Sequence, residues 1–299
     1  MKKSVSLLLA GLMLCGALTG CGGNNDSASY GEGGESQTAE STTGTSGAIH
    51  VVSREDGSGT RGAFVELTGV EDDNGDNTTV EAEIANRTDA VLTTVAGNEA
   101  AIGYVSLGSL NDTVKAVTVD GVEATVDNVK SGDYTLSRPF NIATKGEPTG
   151  VAADFIGFIM SADGQAIVGE DYITVNDNAE AFTSDGSSGH ITVGGSSSVS
   201  PVMEQLIEAY KAVNPNAQID LQTSDSTSGM TGAMDGTFAI GMASRELKDE
   251  EAAELTGTAI ALDGIAVIVN TANTVDNLTM DQIRSIYVGE TTDWADVAA

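Results

Sequence analysis

The sequence predicts an α/β fold, and three observations predict it. From residue 48 onward, short apolar runs alternate with stretches of helical periodicity. One stretch, residues 198–215, repeats its apolar residues at three- and four-residue spacing, as a helix packed on a sheet requires. Three of the passages from an apolar run into a helical one share a composition rich in Ser, Thr and Gly.

The elements follow in order. Residues 1–21 read as an export signal: "MKKSVS" is a basic start, and "LLLAGLMLCGAL" is apolar but too short to span a bilayer as a helix. "LTGC", residues 18–21, resembles the bacterial lipoprotein cleavage box, which would make Cys21 the lipid-modified first residue of the mature chain. The second cysteine, Cys15, lies within the apolar stretch, so the mature chain is left with no disulfide and no Cys-based metal site. Residues 22–47 are Gly, Ser, Thr, Asn and acidic residues with one aromatic. They cannot bury enough apolar surface to fold and read as a flexible tether.

In the folded part, strands are expected at residues 48–53, 100–107, 190–195, 217–223, 238–244 and 264–270. Asp120-Gly121, set between alternating residues of "VKAVTVDGVEATV", predicts a tight hairpin. The helix over 198–215 carries Val199, Val202, Met203, Leu206, Ile207, Tyr210 and Val213 on one face. Pro201 is tolerated in its first turn, and Asn214-Pro215 ends it. Further helices are expected in "TRGAFVEL", "GVAADFIGFIMS" and "TMDQIRSIYVG".

Composition narrows the function. The chain has 299 residues, enough for one two-lobed domain or two medium ones, and 40% are apolar. Thirteen basic against 44 acidic residues give a net charge of −31, which excludes nucleic acid as a partner, since phosphate backbones demand clustered Lys and Arg. Aromatics at 4% are too few for ring stacking to be the main mode of recognition.

The three hydroxyl-rich junctions are "SREDGSGTRG" (53–62), "GGSSSVSP" (194–201) and "QTSDSTSGMTG" (222–232). A helix start presents free backbone N–H groups and the positive end of the helix dipole. Ser and Thr there can cap the helix or reach a ligand. Several such starts with Arg54 make a donor-rich site for an anion, even in an acidic protein. "GSGT" is not a P-loop, because the Lys-Ser/Thr ending is missing.

At these residues the sequence resembles the periplasmic-type phosphate-binding proteins of phosphate ABC importers. "SREDGSGTR" resembles that family's arginine loop closely, and "ITVGGSSSVSP" resembles the segment that opens its mature domain. "FAIGMASREL", "AIGYVSLGSL" and "LSRPFNIATKG" match in character. The likeness spans nearly all of residues 48–299, but with the two halves in reversed order, as in a circular permutation or a cut-out from a tandem chain. The resemblance implies a two-lobed, type II periplasmic-binding-protein-like fold with the ligand cleft between lobes. One lobe would comprise residues 48–136 and 263–299 and carry the arginine loop. The other would comprise 137–262. "ALDGIAVIVN" and "TLSRPFNIAT" would cross between them.

The resemblance also implies roles. Arg54 would bind the oxyanion, and Asp56 would hold its guanidinium in place. Ser58, Gly59 and Thr60 would donate hydroxyl and backbone N–H groups. Ser198, the N–H of Val199 and Ser226 would donate from the other lobe. Ser244 stands where many members carry an aspartate that accepts the phosphate's proton, which weakens discrimination between phosphate and sulfate. The implied protein is a lipid-anchored solute-binding protein on the extracytoplasmic face of the cell membrane. It would take inorganic phosphate to the permease and ATPase subunits of an ABC importer, with no cofactor and no metal.

Rival readings are a binding protein for another, sulfate-like oxyanion, a surface lipoprotein that senses or adheres, and a hydrolase. A Ser-His-Asp enzyme needs a histidine beside a nucleophilic serine, and His50 and His190 both sit at strand edges outside any nucleophile-elbow context. "EDDNGD", residues 71–76, lacks the terminal Glu of a calcium loop and reads as a solvated acidic loop.

Overall fold

The computed structural model describes residues 45–297. The signal segment, Cys21 and all but the last three residues of the tether lie outside the described residues.

In chain order the elements are β1 (His50–Arg54), α1 (Gly59–Thr68), the short strands β2 (Glu71–Asp72) and β3 (Gly75–Asp76), β4 (Glu83–Ala85), α2 (Thr88–Gly97) and β5 (Ala101–Ser106). After a 3₁₀ turn at Leu107–Ser109 come β6 (Val114–Ala116), β7 (Thr118–Val119) and α3 (Val126–Ser131). The middle of the chain forms β8 (Ser137–Thr144), α4 (Val151–Ile159), α5 (Ala162–Asp171), β9 (Gly189–Ser196), α6 (Ser200–Val213), β10 (Ala217–Ser224), α7 (Ser226–Asp235), β11 (Ile240–Ala243) and α8 (Asp249–Ala252). The last elements are β12 (Thr256–Asn270), β13 (Asn277–Leu278), α9 (Met280–Tyr287) and α10 (Trp294–Val297).

Nine strands join one mixed sheet in the order β10-β9-β11-β8-β12-β5-β1-β4, with β6 also paired to β12. At one end β10, β9 and β11 run parallel; at the other, β5, β1 and β4 do. β8 and β12 lie between them as an antiparallel pair. β12 starts eight residues before the apolar run that marks it in the sequence. Thr256–Ala259 pair with β8, and a bulge between Ala259 and Ala261 re-aims the strand before Ile265–Val269 pair with β5.

Two large apolar clusters flank this pair. The first includes Val51, Phe64, Tyr104, Leu136, Ile265, Val267, Tyr287 and Trp294. It draws on residues up to 136 and from 265 onward, joined by Ile173 from the middle segment. The second is built only from residues 140–261, among them Phe140, Phe155, Val193, Met203, Tyr210 and Ile260. Each fully buried side chain of this size contributes roughly 1.5–3 kcal/mol. Phe64 and Tyr104 also stack, with centroids 3.9 Å apart.

Where β8 and β12 pair between the two cores, Arg138 Nη2 lies 3.1 Å from Asp263 Oδ2, both side chains almost fully buried. Ser106 Oγ donates to the other carboxylate oxygen at 2.9 Å. Burial pushes the Asp263 carboxyl up to about 6 against the pull of Arg138 and Ser106.

The Asp-Gly hairpin is present only as its turn. Asp120 and Gly121 both have positive φ, and Val119 and Val122 exchange backbone hydrogen bonds at 2.9 Å. The arms do not extend, because β7 pairs with β13 and the chain then coils into α3.

Candidate functional site: a hydroxyl cluster around Arg54

Four strands of the sheet, β1, β4, β9 and β10, feed their carboxyl ends into α1, α2, α6 and α7. In open α/β sheets this edge is where ligands bind. The ends of β1 and β4 come from one half of the chain, those of β9 and β10 from the other, and their side chains meet.

Arg54 closes β1 and is 2% exposed. Its guanidinium is gripped from one side by Glu55: Nε donates to Oε2 at 2.8 Å and Nη2 to Oε1 at 2.7 Å. A two-pronged grip of this kind fixes the direction of the planar guanidinium. Its other edge faces hydroxyls, with Nη2 donating to Ser197 Oγ at 3.2 Å and Nη1 to Thr88 Oγ1 at 3.4 Å. This corrects the expectation for Asp56. Its carboxylate is 97% exposed and accepts from Arg61 Nη1 at 2.7 Å, turned away from Arg54 by the Asp-Gly bend. Arg61 also donates to Asp76 at 2.7 Å and to the Arg54 carbonyl at 2.9 Å. Burial raises the Asp76 carboxyl, but hydrogen bonds from Thr78 and Arg61 outweigh it and hold the group below the usual range.

The loop after Arg54 turns into α1 at Ser58, whose extended backbone suits an N-cap and whose Oγ accepts the Arg61 N–H at 3.3 Å. The Ser58 hydroxyl proton remains able to donate. Gly59 has to be glycine here, since a Cβ would press on Ser226 Oγ and on Ser244 Oγ. Thr60 Oγ1 meets Ser198 Oγ at 2.8 Å, although 138 positions separate them.

From the second half, Ser196 Oγ donates to Ser244 Oγ at 2.9 Å, and Ser226 Oγ lies 3.4 Å from that same hydroxyl and accepts the Ser244 N–H at 3.0 Å. Ser198, Ser226 and Ser244 are at most 1% exposed. Val199 is buried at the N-cap of α6, but its N–H donates to the Ser196 carbonyl at 3.1 Å rather than into the cluster, a second difference from expectation. The structure thus brings Arg54, Ser58, Gly59, Thr60, Ser198, Ser226 and Ser244 to one place and leaves Asp56 outside. It adds Glu55, Thr88, Ser196 and Ser197. Ser196 and Ser197 lie within the expected "GGSSSVSP" junction, whereas Thr88 has no marker, because β4 is only three residues long and shows no apolar run.

The cluster offers an anion a guanidinium already oriented by Glu55, neutral hydroxyls and the starts of several helices, in a setting with little water to compete. It offers no nucleophile–base pair. His50 and His190 stand at the opposite, leading ends of β1 and β9, each 2.8 Å from a carboxylate, Glu83 and Asp220. Among the described residues no group of three His, Cys, Asp or Glu is placed to hold a metal ion.

Comparison with known proteins gives this arrangement a context. The sequence profile of the PBP superfamily domain matches residues 29–163 and 180–299. The phosphate-binding protein PstS 2 of Streptococcus agalactiae is 47% identical over 304 residues, covering 99% of this chain and 98% of its own. PstS 2 of Streptococcus pneumoniae is 44% identical over 98% of this chain and 99% of its own. The phosphate-binding protein PstS of Bacillus subtilis is 35% identical over 134 residues, 43% of this chain. The crystal structure of a phosphate-binding protein of a phosphate ABC transporter from S. pneumoniae matches with a TM-score of 0.68 at 46% identity, over 84% of this chain and all of that one. On its sequence and its fold alike, the chain belongs to the PstS family within the PBP superfamily.

Proposed function

We propose that the protein is a solute-binding protein, not an enzyme, that captures inorganic phosphate and hands it to the permease and ATPase subunits of a phosphate ABC importer. The observation that carries this reading is the meeting of helix starts from both halves of the chain around one buried, pre-oriented arginine. Relatives of equal length and 44–47% identity are phosphate-binding proteins by name. Phosphate would take the hydroxyls of Thr60, Ser198, Ser226 and Ser244 as donors in exchange for bonds within the cluster, Ser58 would add its hydroxyl proton, and Arg54 would meet the charge. The division of the core near residues 137 and 262 supports two lobes with this site between them. The order of the halves, read as permuted on the sequence motifs, is one the chain shares with PstS 2, to which it is similar over its full length. The export signal, Cys21 and the tether make the protein lipid-anchored on the outer face of the cell membrane. Replacing Cys21 by Ser should release it from the membrane fraction.

Thermal unfolding of anion-stripped protein tests the binding. Phosphate at about 100 times its dissociation constant should add about 2.7 kcal/mol of stability. Sulfate at the same concentration measures selectivity, which Ser244 weakens because no carboxylate stands there to accept a phosphate proton. A melting temperature that phosphate leaves unmoved would sink the reading; an equal response to sulfate would make the site a general oxyanion site.

A further inference from the structure

The opening of α2, like that of α6, takes no cap from its own N-cap side chain. α1 is capped by its own Ser58 and α7 by its own Asp225. Arg87, the N-cap of α2, puts no side chain on the helix N–H groups. The Thr88 N–H instead crosses to the other half of the chain and donates to Ser197 Oγ at 3.3 Å. Thr88 is buried, and its hydroxyl lies 3.1 Å from Ser197 Oγ and 3.3 Å from Ser198 Oγ.

The direction of these bonds follows from counting lone pairs. Ser197 Oγ accepts from Arg54 Nη2 and from the Thr88 N–H, which fills its two sites, so its proton must go outward, to Thr88 Oγ1. Thr88 Oγ1 then accepts from Ser197 and from Arg54 Nη1, and its own proton is directed at Ser198 over 3.3 Å, longer than the 3.1 Å from Ser197. Arg54 thus polarises a line of hydroxyls from Ser197 to Thr88 and into the cluster. The Thr88 proton, spent on a 3.3 Å bond to a neutral hydroxyl, is the one most readily exchanged for a charged oxygen. A cavity of about 360 Å³ borders Thr88, Ser197 and Ser200, with Arg87, Asp89 and Glu204 also on its wall.

We infer that Thr88 is a further anion-contacting residue, donating its hydroxyl to the same phosphate that Arg54 binds. This rests on the reading of the Arg54 cluster as a phosphate site. The bond geometry makes Thr88 a donor only, so it favours the more highly charged form of the anion.

The test is calorimetric titration of inorganic phosphate into anion-stripped wild type, Thr88→Val and Thr88→Ser. Valine keeps the shape of threonine and removes the hydroxyl; serine keeps the hydroxyl. Loss of one hydrogen bond to a charged group predicts an affinity about tenfold to a hundredfold weaker for Thr88→Val, with Thr88→Ser within about threefold of wild type. Equal binding by wild type and Thr88→Val would overturn the inference and leave the phosphate site standing. Equal weakening in both variants would make the effect one of packing and overturn it as well. Wild type that binds no phosphate would remove the reading of the site and this inference with it. Should Thr88→Val fail to fold, Thr88→Ala read against Thr88→Ser decides by the same comparison.

Discussion

The hydroxyls of Thr60 and Ser198 lie 2.8 Å apart, one from the first turn of α1 and the other from the turn before α6. Nothing local holds them there. Their meeting is the product of two strand ends aimed at each other by a sheet whose central pair, β8 and β12, serves both cores. The site is therefore a property of the whole fold, and changes at its seam and its supports should be separable.

Glu55 and Asp56 are adjacent and chemically alike, yet only Glu55 holds Arg54. Glu55→Gln removes the charge that orients the guanidinium and should weaken phosphate binding by tenfold or more, since hydrogen bonds to charged groups contribute about 1.5–3 kcal/mol. Asp56→Asn breaks only an exposed pair and should change affinity by less than about fivefold. Titration of the two variants side by side checks this, and the reverse order would restore Asp56 as the residue that fixes Arg54.

Gly59 is where the first half touches Ser226 and Ser244 of the second. Gly59→Ala forces a methyl group into that seam. Overpacking of this kind costs about 1–3 kcal/mol. A lower melting temperature together with weaker phosphate binding is expected. Unchanged binding would mean that the seam opens without loss and is not part of the site.

Asp154 supports the connection between α5 and β9. Its carboxylate accepts from Ser184 Oγ and Tyr210 OH at 2.6 Å, from the Asp185 N–H at 2.9 Å and from Asn214 Nδ2 at 3.2 Å. Burial raises its pKa, but these donors outweigh it and hold the group below the usual carboxylate range. The folded value lies below the unfolded one, so the stability it contributes is present in full above about pH 4 and is lost as the pH falls through the depressed folded value. Asp154→Asn should cost about 1–3 kcal/mol at neutral pH. Urea unfolding from pH 7 down to pH 3 should show the gap between variant and wild type narrowing on the acid side; a constant gap would contradict the assignment.

Much of this was legible in the sequence for a physical reason: helix starts need hydroxyls or small residues whether or not they bind anything, so three of the four junctions announced themselves as runs of Ser, Thr and Gly. Which of those groups serve as caps was not legible. Ser58 caps α1, while the Val199 N–H closes on Ser196. Nor was the choice between Glu55 and Asp56, because the bend that turns one inward and the other outward depends on where Gly57 passes Asp225. Thr88 escaped notice because β4 pairs with β1 through only three residues, too short a strand to leave a periodic signal.

The account's central claim is that Arg54 is the charge at the heart of a phosphate site. Phosphate titrated into anion-stripped wild type and Arg54→Ala measures it directly. One phosphate per chain is predicted for wild type, and an affinity on the order of a hundred- to several-thousand-fold lower for the variant, because Glu55 and the anion would both lose a buried partner whose removal costs about 3–5 kcal/mol. Equal affinities in the two proteins would contradict the claim and place phosphate, if it binds, elsewhere on the molecule.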